Sequence, residues 1–475
     1  MIGKYLISLQ NELNSDFLKG INKINNFPKF KKLLFIFWIL GPFIYLIERD
    51  PADVWLTSIS LIFIIRCIIR NDWNWINQWW FKLSIFLWAL GLFSSVLGPY
   101  KYFSFMQGLV WIRFPLYVAA AQVWLGKDKD IRGLMFLSIC LGMIFMCLIL
   151  TAELLVDPKE RLIWPYGDLV PGNYLSKVSL PVYCTLIILL IRKYQPVFII
   201  NGLMALVSLV IILLTGERTN FLIRFFSSIL ACFSWKLSKS FVFKTVIYLF
   251  FIISCISIYL YNYNNYHFQR ITNKLISSIP ILNMTEHNSY WGAWRGGIQQ
   301  GIESPIIGLG PSSSRKHCTK LGLDDPSITN TFEKWYYNQD KFKEKIKVYS
   351  GMELFYEKSE LKNNFNSFVK SYPRWLPGIN YCGNHPHNFY IQLFAETGII
   401  GLVIGSMMFF SLVYLFYVKK KKNPDCPVIA ISYIIPLAFF FPLQQMGSFY
   451  GQWGNLFIWF PIGFCMSYIQ DYNSK

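Results

Sequence analysis

All five histidines of the chain, His267, His287, His317, His385 and His387, fall in one polar segment between two apolar stretches. Imidazole is the side chain best suited to moving a proton near neutral pH, so acid–base chemistry points to this segment. The stretch from His385 to Gly401 joins it to a long apolar run ending in Lys419 to Lys422. Read as a helix from about Asn388, that stretch places Asn388, Gln392 and Glu396 four residues apart, on one face. A polar stripe entering an apolar helix faces protein or water rather than lipid; the plainer reading is a capped helix with a polar first turn. Gly398, Gly401 and Gly405 form a strip where another helix can come close. His387, at the head of the stripe, can accept a proton from an attacking hydroxyl; otherwise it is a capping or exposed histidine. His385 and His387 could also be a metal pair. Zinc takes three or four ligands, and no Cys-x-x-Cys, His-Glu-x-x-His or dense acidic cluster accompanies them, so metal is the weaker reading.

Three arginines could meet an anion. Arg218 lies at the junction of two apolar runs, where paired N–H donors could hold a phosphate or the side chain could reach the headgroups. Arg113 sits well inside an apolar run, two residues before Pro115. Such an arginine lines a cavity, meets an anion, or closes a salt bridge within the bundle. Arg295, like Arg315, is a loop cation with a weaker claim. Asn173, in Pro171-Gly172-Asn173-Tyr174, places an amide near the approach to a helix, with Lys177 one turn later. The chain has no Gly-x-x-x-x-Gly-Lys-Ser/Thr loop, no Gly-x-Gly-x-x-Gly at a strand–helix junction and no Gly-x-Ser-x-Gly. Its pattern is therefore not that of an ATPase, a dinucleotide enzyme or a serine hydrolase.

What must position these residues is a membrane bundle. The 475 residues are 54% hydrophobic and 15% charged, with a mean hydropathy of +0.37. A soluble chain of this length needs more charge. The net charge of +19 resides mostly in short clusters between apolar runs, the signature of membrane topology rather than of nucleic-acid binding. Apolar runs at 33–48, 54–70, 79–98, 104–126, 132–152, 178–192, 197–214, 221–235, 243–262, 388–418, 427–446 and 454–470 predict an all-α bundle of about twelve transmembrane helices. Basic residues mark alternate loops, from Lys29, Lys31 and Lys32 to Lys419 to Lys422, which places those loops and both termini in the cytoplasm.

The chain then divides into an amphipathic cytoplasmic segment (1–32), nine helices (33–262), one large, mainly helical outer loop (263–387) and three helices with a cytoplasmic C-terminus (388–475). No cleavable signal peptide is visible. The loop is far longer than an ordinary connection, which marks it as functional. Within it Trp291 to Glu303 reads as a helix ended by Pro305 and the turn Gly308-Leu309-Gly310-Pro311, and Thr331 to Tyr372 as amphipathic helices. Of ten cysteines only Cys318 and Cys382 fall outside the membrane. In an oxidising compartment they are either disulfide partners or two free thiols.

The sequence resembles the O-antigen ligase and O-antigen polymerase superfamily of bacterial inner-membrane glycosyltransferases. The ligases carry His, then Asn, Ser or Gln, nine free positions, Gly, two free positions, and Gly or a similar residue. Here these are His387, Asn388, Gly398 and Gly401. Trp294 to Gly310, with Pro305 and Gly308-Leu309-Gly310, resembles the family's Trp…Pro…Gly-x-Gly block. Thr215-Gly216-Glu217-Arg218 resembles the arginine at the outer end of a central helix. One departure stands out: family members often place an arginine four residues before the tryptophan, where this chain has Tyr290, with Arg295 nearest.

The resemblance implies a multi-pass protein of the bacterial inner membrane with its active site facing the periplasm. It implies a metal-independent transfer without cofactor. The donor would be a glycan on undecaprenyl diphosphate, held by Arg218 with Arg113 or Arg295. His387 would activate the acceptor hydroxyl, with His385, Asn388, Glu396 and Asn173 in support. The acceptor of a ligase is a lipid A core sugar. A polymerase would extend the glycan on its own carrier, a third enzyme would modify a protein hydroxyl, and a transporter or lipid flippase would use the same helices without chemistry. A transporter more often shows paired repeats and helices broken at the midplane, which this sequence does not display.

Overall fold

The computed structural model describes residues 18–156, 162–165, 170–192, 207–212, 214–215, 218–234, 289–315, 317, 385–423, 425–443 and 446–469. Their regular elements are all helices, and no strand occurs among them. Five helices are long and apolar enough to cross a membrane: Arg49–Arg70, Trp79–Leu97, Lys101–Lys127, Lys129–Val156 and Phe389–Lys422. Their outer faces leave large apolar side chains exposed, among them Leu61, Ile69, Phe86, Leu148 and Phe410. A surface this apolar is matched to lipid rather than water. The described helices fall within the apolar runs or beside them, and several runs hold more than one helix. The run at 104–126 is two helices meeting at Ile112, and the run at 427–446 is two short helices, Pro427–Ile431 and Ile434–Phe439. The run at 243–262, most of 197–214, and the segment Thr331 to Tyr372 lie outside the described residues, as do Cys318 and Cys382.

Large rings fill the interior. Trp38, Trp55 and Tyr117 pack within 5.3 to 5.9 Å of one another, and Phe460 lies 5.9 Å from Trp55. Edge-on and tilted ring pairs suit the aromatic quadrupole and fill space that aliphatic side chains would leave open. Gly41 and Gly463 let these rings sit against backbone.

The bundle has two chemically distinct ends. At one, Lys23 bridges Asp128 and Asp130 (both 2.9 Å), Arg66 pairs with Asp72 (2.9 Å), and Arg132 donates to the Gly126 carbonyl (2.6 Å). Lys127, Lys129 and Lys419 to Lys422 belong to the same end. At the other, Ser94 donates to the Glu396 carbonyl (2.9 Å), Tyr100 meets His317 (3.5 Å), and the Glu153 carboxylate accepts the N–H groups of Ile163 and Trp164 (2.9 and 2.8 Å). His317 is at this second end, and Arg315, two residues before it, is within electrostatic reach of His385.

The Phe389–Lys422 helix is not continuous. Gly398 has φ 68° and ψ −168°, a conformation essentially restricted to glycine, and it breaks the ladder. The turn after the Ser289–Glu303 helix fills the break. Leu309 donates to the Ala395 carbonyl (3.0 Å), Gly310 to that of Glu396 (2.9 Å), and Ile399 to that of Pro305 (2.8 Å). Carbonyls and amides freed by the break are thereby satisfied by an irregular segment, as buried backbone requires. This corrects the expectation of a smooth glycine strip from Gly398 to Gly405: a turn, not a helix, seats at Gly398. Gly401 and Gly405 do keep close approaches, to Thr397 and Leu90 and to Leu393, and Gly297 and Gly301 of the Ser289–Glu303 helix lie against Pro386, Ile391 and Phe394.

Candidate functional site

The polar stripe enters protein. Asn388, Gln392 and Glu396 are all buried. Asn388 is the N-cap of its helix: its side-chain oxygen accepts from Tyr390 and Ile391 N–H (3.0 and 3.1 Å), and its amide donates to the Pro442 carbonyl (2.6 Å). A capping role therefore accounts for Asn388 by itself. Gln392 is a junction. Its amide donates to Glu396 Oε1 and to Ser448 Oγ (both 2.9 Å), and its oxygen accepts the Phe449 N–H (2.7 Å). The second Glu396 oxygen accepts the Ser312 N–H (2.8 Å). Glu396 thus ties the helix break to the buried run Ser312, Ser313 and Ser314.

His387 immediately precedes the helix that carries this seam. Its φ of 57° lies in the left-handed region, uncommon for a residue with a side chain. Its carbonyl accepts the Met446 N–H (2.9 Å), which holds the backbone in place. The His385 and His387 ring centroids are 4.2 Å apart. Burial pushes the His387 imidazole below its ordinary value, against the Met446 contact, which raises it. Burial, then His387, then the Arg315 guanidinium bring His385 down to about 3. Both His385 ring nitrogens are buried without a hydrogen-bond partner. The chemical outcome is a pair of neutral imidazoles at neutral pH, the form that accepts a proton.

The same shifts fix a dependence on pH. The unfolded chain binds a proton near pH 6.5 and the folded His385 only near 3. Protonation therefore favours unfolding between those values, and stability falls as pH drops through 6.5. His385→Phe should remove about 2 kcal/mol of this loss at pH 5. Its apparent melting temperature in detergent should fall less between pH 7 and pH 5 than that of the wild type; an equal fall in both would contradict the assignment.

The other sequence-derived residues are placed as follows. Arg113 pairs with Asp53 (2.8 Å) inside the bundle, so the salt-bridge alternative is the one observed. It is joined to the seam indirectly: Trp111 donates to the Phe449 carbonyl (3.1 Å), and Phe449 donates to Gln392. Arg295 is exposed on the Ser289–Glu303 helix. Arg218 opens the Arg218–Ser234 helix, but its side chain lies outside the described residues. Asn173 is brought to that helix's first turn: its side-chain oxygen accepts from Asn220 (3.3 Å) and from Lys177 (2.7 Å). Among the described residues no three His, Cys, Asp or Glu side chains converge as metal ligands.

Two features escape a reading by motif. Arg224 is fully buried, donates to Ser208 and Ser179 (both 2.6 Å), and lies 3.8 Å over the Tyr183 ring, with no carboxylate partner among the described residues. An arginine inside the apolar run 221–235 was the available signal. The hydroxyls of Ser312 and Ser313 are buried beside Glu396 without partners, and three successive serines in a loop carried no signal at all. No protein-family model matches the chain, and no curated protein matches it either.

Proposed function

We propose that the chain is a membrane glycosyltransferase of O-antigen ligase type. It moves a glycan from undecaprenyl diphosphate to an acceptor hydroxyl, a lipid A core sugar, at the bundle end that carries the histidines. In this reading the chain crosses the bacterial inner membrane about twelve times, and that end faces the periplasm. One observation carries the proposal. The two sequence blocks on which the resemblance rests, His387 to Gly401 and Trp294 to Gly310, are interlocked: the Gly308–Leu309–Gly310 turn seats in the break at Gly398, and the two neutral imidazoles precede the helix that ends there.

The acceptor O–H gives its proton to His387 as the oxygen bonds to the anomeric carbon. The bond from that carbon to the diphosphate oxygen breaks on the opposite face, and the diphosphate leaves with the electron pair. Inversion at the anomeric carbon is the result. Arg218 neutralises charge growing on the leaving group; Arg295 is free to assist, whereas Arg113 is partly neutralised by Asp53. The sugar–diphosphate bond supplies the driving force, so no nucleotide is required on that side.

Deletion of the gene followed by electrophoresis of lipopolysaccharide tests this. Loss of all O-antigen-capped molecules supports a ligase, and capping with single repeat units supports a polymerase acting on the same donor. Unchanged glycans with lost solute uptake would refute transfer and favour a transporter.

A further inference from the structure

A groove of about 630 Å³ runs between the start of the Trp79–Leu97 helix and the second half of the Phe389–Lys422 helix. Trp79, Leu83, Met407, Phe410, Tyr414 and Tyr417 line it. The one serine there, Ser411, turns its hydroxyl back to the Met408 carbonyl of its own helix (2.7 Å). Trp79 and Tyr414 remain 76% and 69% exposed, so the protein itself does not fill the space between these rings.

The groove lies at the basic end of the bundle, and two cations are attached to its own walls. Lys82 Nζ sits 5.7 Å from the centre of the Trp79 ring, and Lys421 Nζ 4.7 Å from that of Tyr417. Neither ammonium forms a salt bridge among the described residues. An apolar slot capped by unneutralised ammonium groups is complementary to one kind of molecule, an amphiphile with an anionic head. We propose that this groove holds an anionic glycerophospholipid from the leaflet at the basic end. Its acyl chain lies between the aromatic rings, and its phosphate lies between Lys82 and Lys421.

The groove is on the exposed face of the second half of this helix, at Phe410 and Tyr414, whereas Phe389 and Tyr390 fold back past Gly398 onto the buried Phe409. The inference depends on the membrane setting of the helices and not on the transfer chemistry.

The test is native mass spectrometry of the full-length protein, titrated with phosphatidylglycerol and with phosphatidylcholine of the same acyl chains. Phosphatidylglycerol should be retained in preference. Lys82→Ala/Lys421→Ala should weaken its retention about tenfold. Lys82→Arg/Lys421→Arg should restore it, and Lys127→Ala/Lys129→Ala, at the same end but away from the groove, should leave it unchanged. Equal retention of the two lipids, or phosphatidylglycerol binding unaltered in the double alanine variant, would overturn the proposal. So would mole-for-mole displacement of phosphatidylglycerol by undecaprenyl phosphate, which would give the groove to the carrier.

Discussion

Replacing His387 with alanine should stop glycan transfer, lowering the rate about 10²- to 10⁴-fold, the range for loss of a general base. The protein should still insert and accumulate. The contact that anchors residue 387 runs through its carbonyl, from the Met446 N–H, and alanine keeps that carbonyl. What alanine loses beyond the imidazole is some tolerance of φ 57°, worth about 1 kcal/mol. His387→Asn separates the two effects, because asparagine accepts the left-handed region readily but is not a base. Both variants should be inactive, with His387→Asn the more stable. Wild-type transfer by His387→Ala, with membrane abundance confirmed by immunoblot, would remove His387 from the catalytic role.

Gly398→Ala should cost about 3–5 kcal/mol and abolish transfer with it. The backbone at φ 68°, ψ −168° excludes a β-carbon on its own account. An added methyl would also overlap the Ile306 carbonyl of the turn that fills the helix break. That turn carries Leu309 and Gly310, whose amides satisfy the Ala395 and Glu396 carbonyls, and it leads to the Ser312 N–H on the Glu396 carboxylate. Expelling it would leave several buried polar groups without partners, about 1–3 kcal/mol each. Gly133→Ala is the matched control. It lies in the Lys129–Val156 helix with nothing within 4 Å of the added methyl, and should be neutral or stabilising by under about 1 kcal/mol. A thermal melt in detergent separates them: a large loss for Gly398→Ala, none for Gly133→Ala. Equal melting temperatures would refute the seating of the turn at Gly398.

How much of this could be read beforehand depends on how local each feature is. The burial of Asn388, Gln392 and Glu396 was legible because four-residue spacing puts polar groups on one helical face, and lipid cannot receive them. The helix before Pro305 was legible from proline and glycine punctuation. The break at Gly398 was not. Glycine is tolerated inside membrane helices, and only the incoming 305–310 turn, some ninety residues away in sequence, distinguishes a break from a packing strip. The partner of Arg113 was equally hidden. Asp53 sits 60 positions earlier, and nothing in either neighbourhood specifies the pairing. Arg224 failed for a different reason. One arginine in an apolar run resembles a topology marker until its hydroxyl and ring partners are seen.

The most direct test is a transfer assay with the purified protein in lipid nanodiscs. It supplies glycan-loaded undecaprenyl diphosphate and a lipid A core acceptor, with a metal chelator present. The account predicts a glycan–acceptor conjugate and free undecaprenyl diphosphate in equal amounts, both lost in His387→Ala. An intact donor after prolonged incubation with folded wild-type protein and each candidate acceptor (core, carrier-linked glycan and protein hydroxyl) would contradict it, as would product formation by His387→Ala at the wild-type rate.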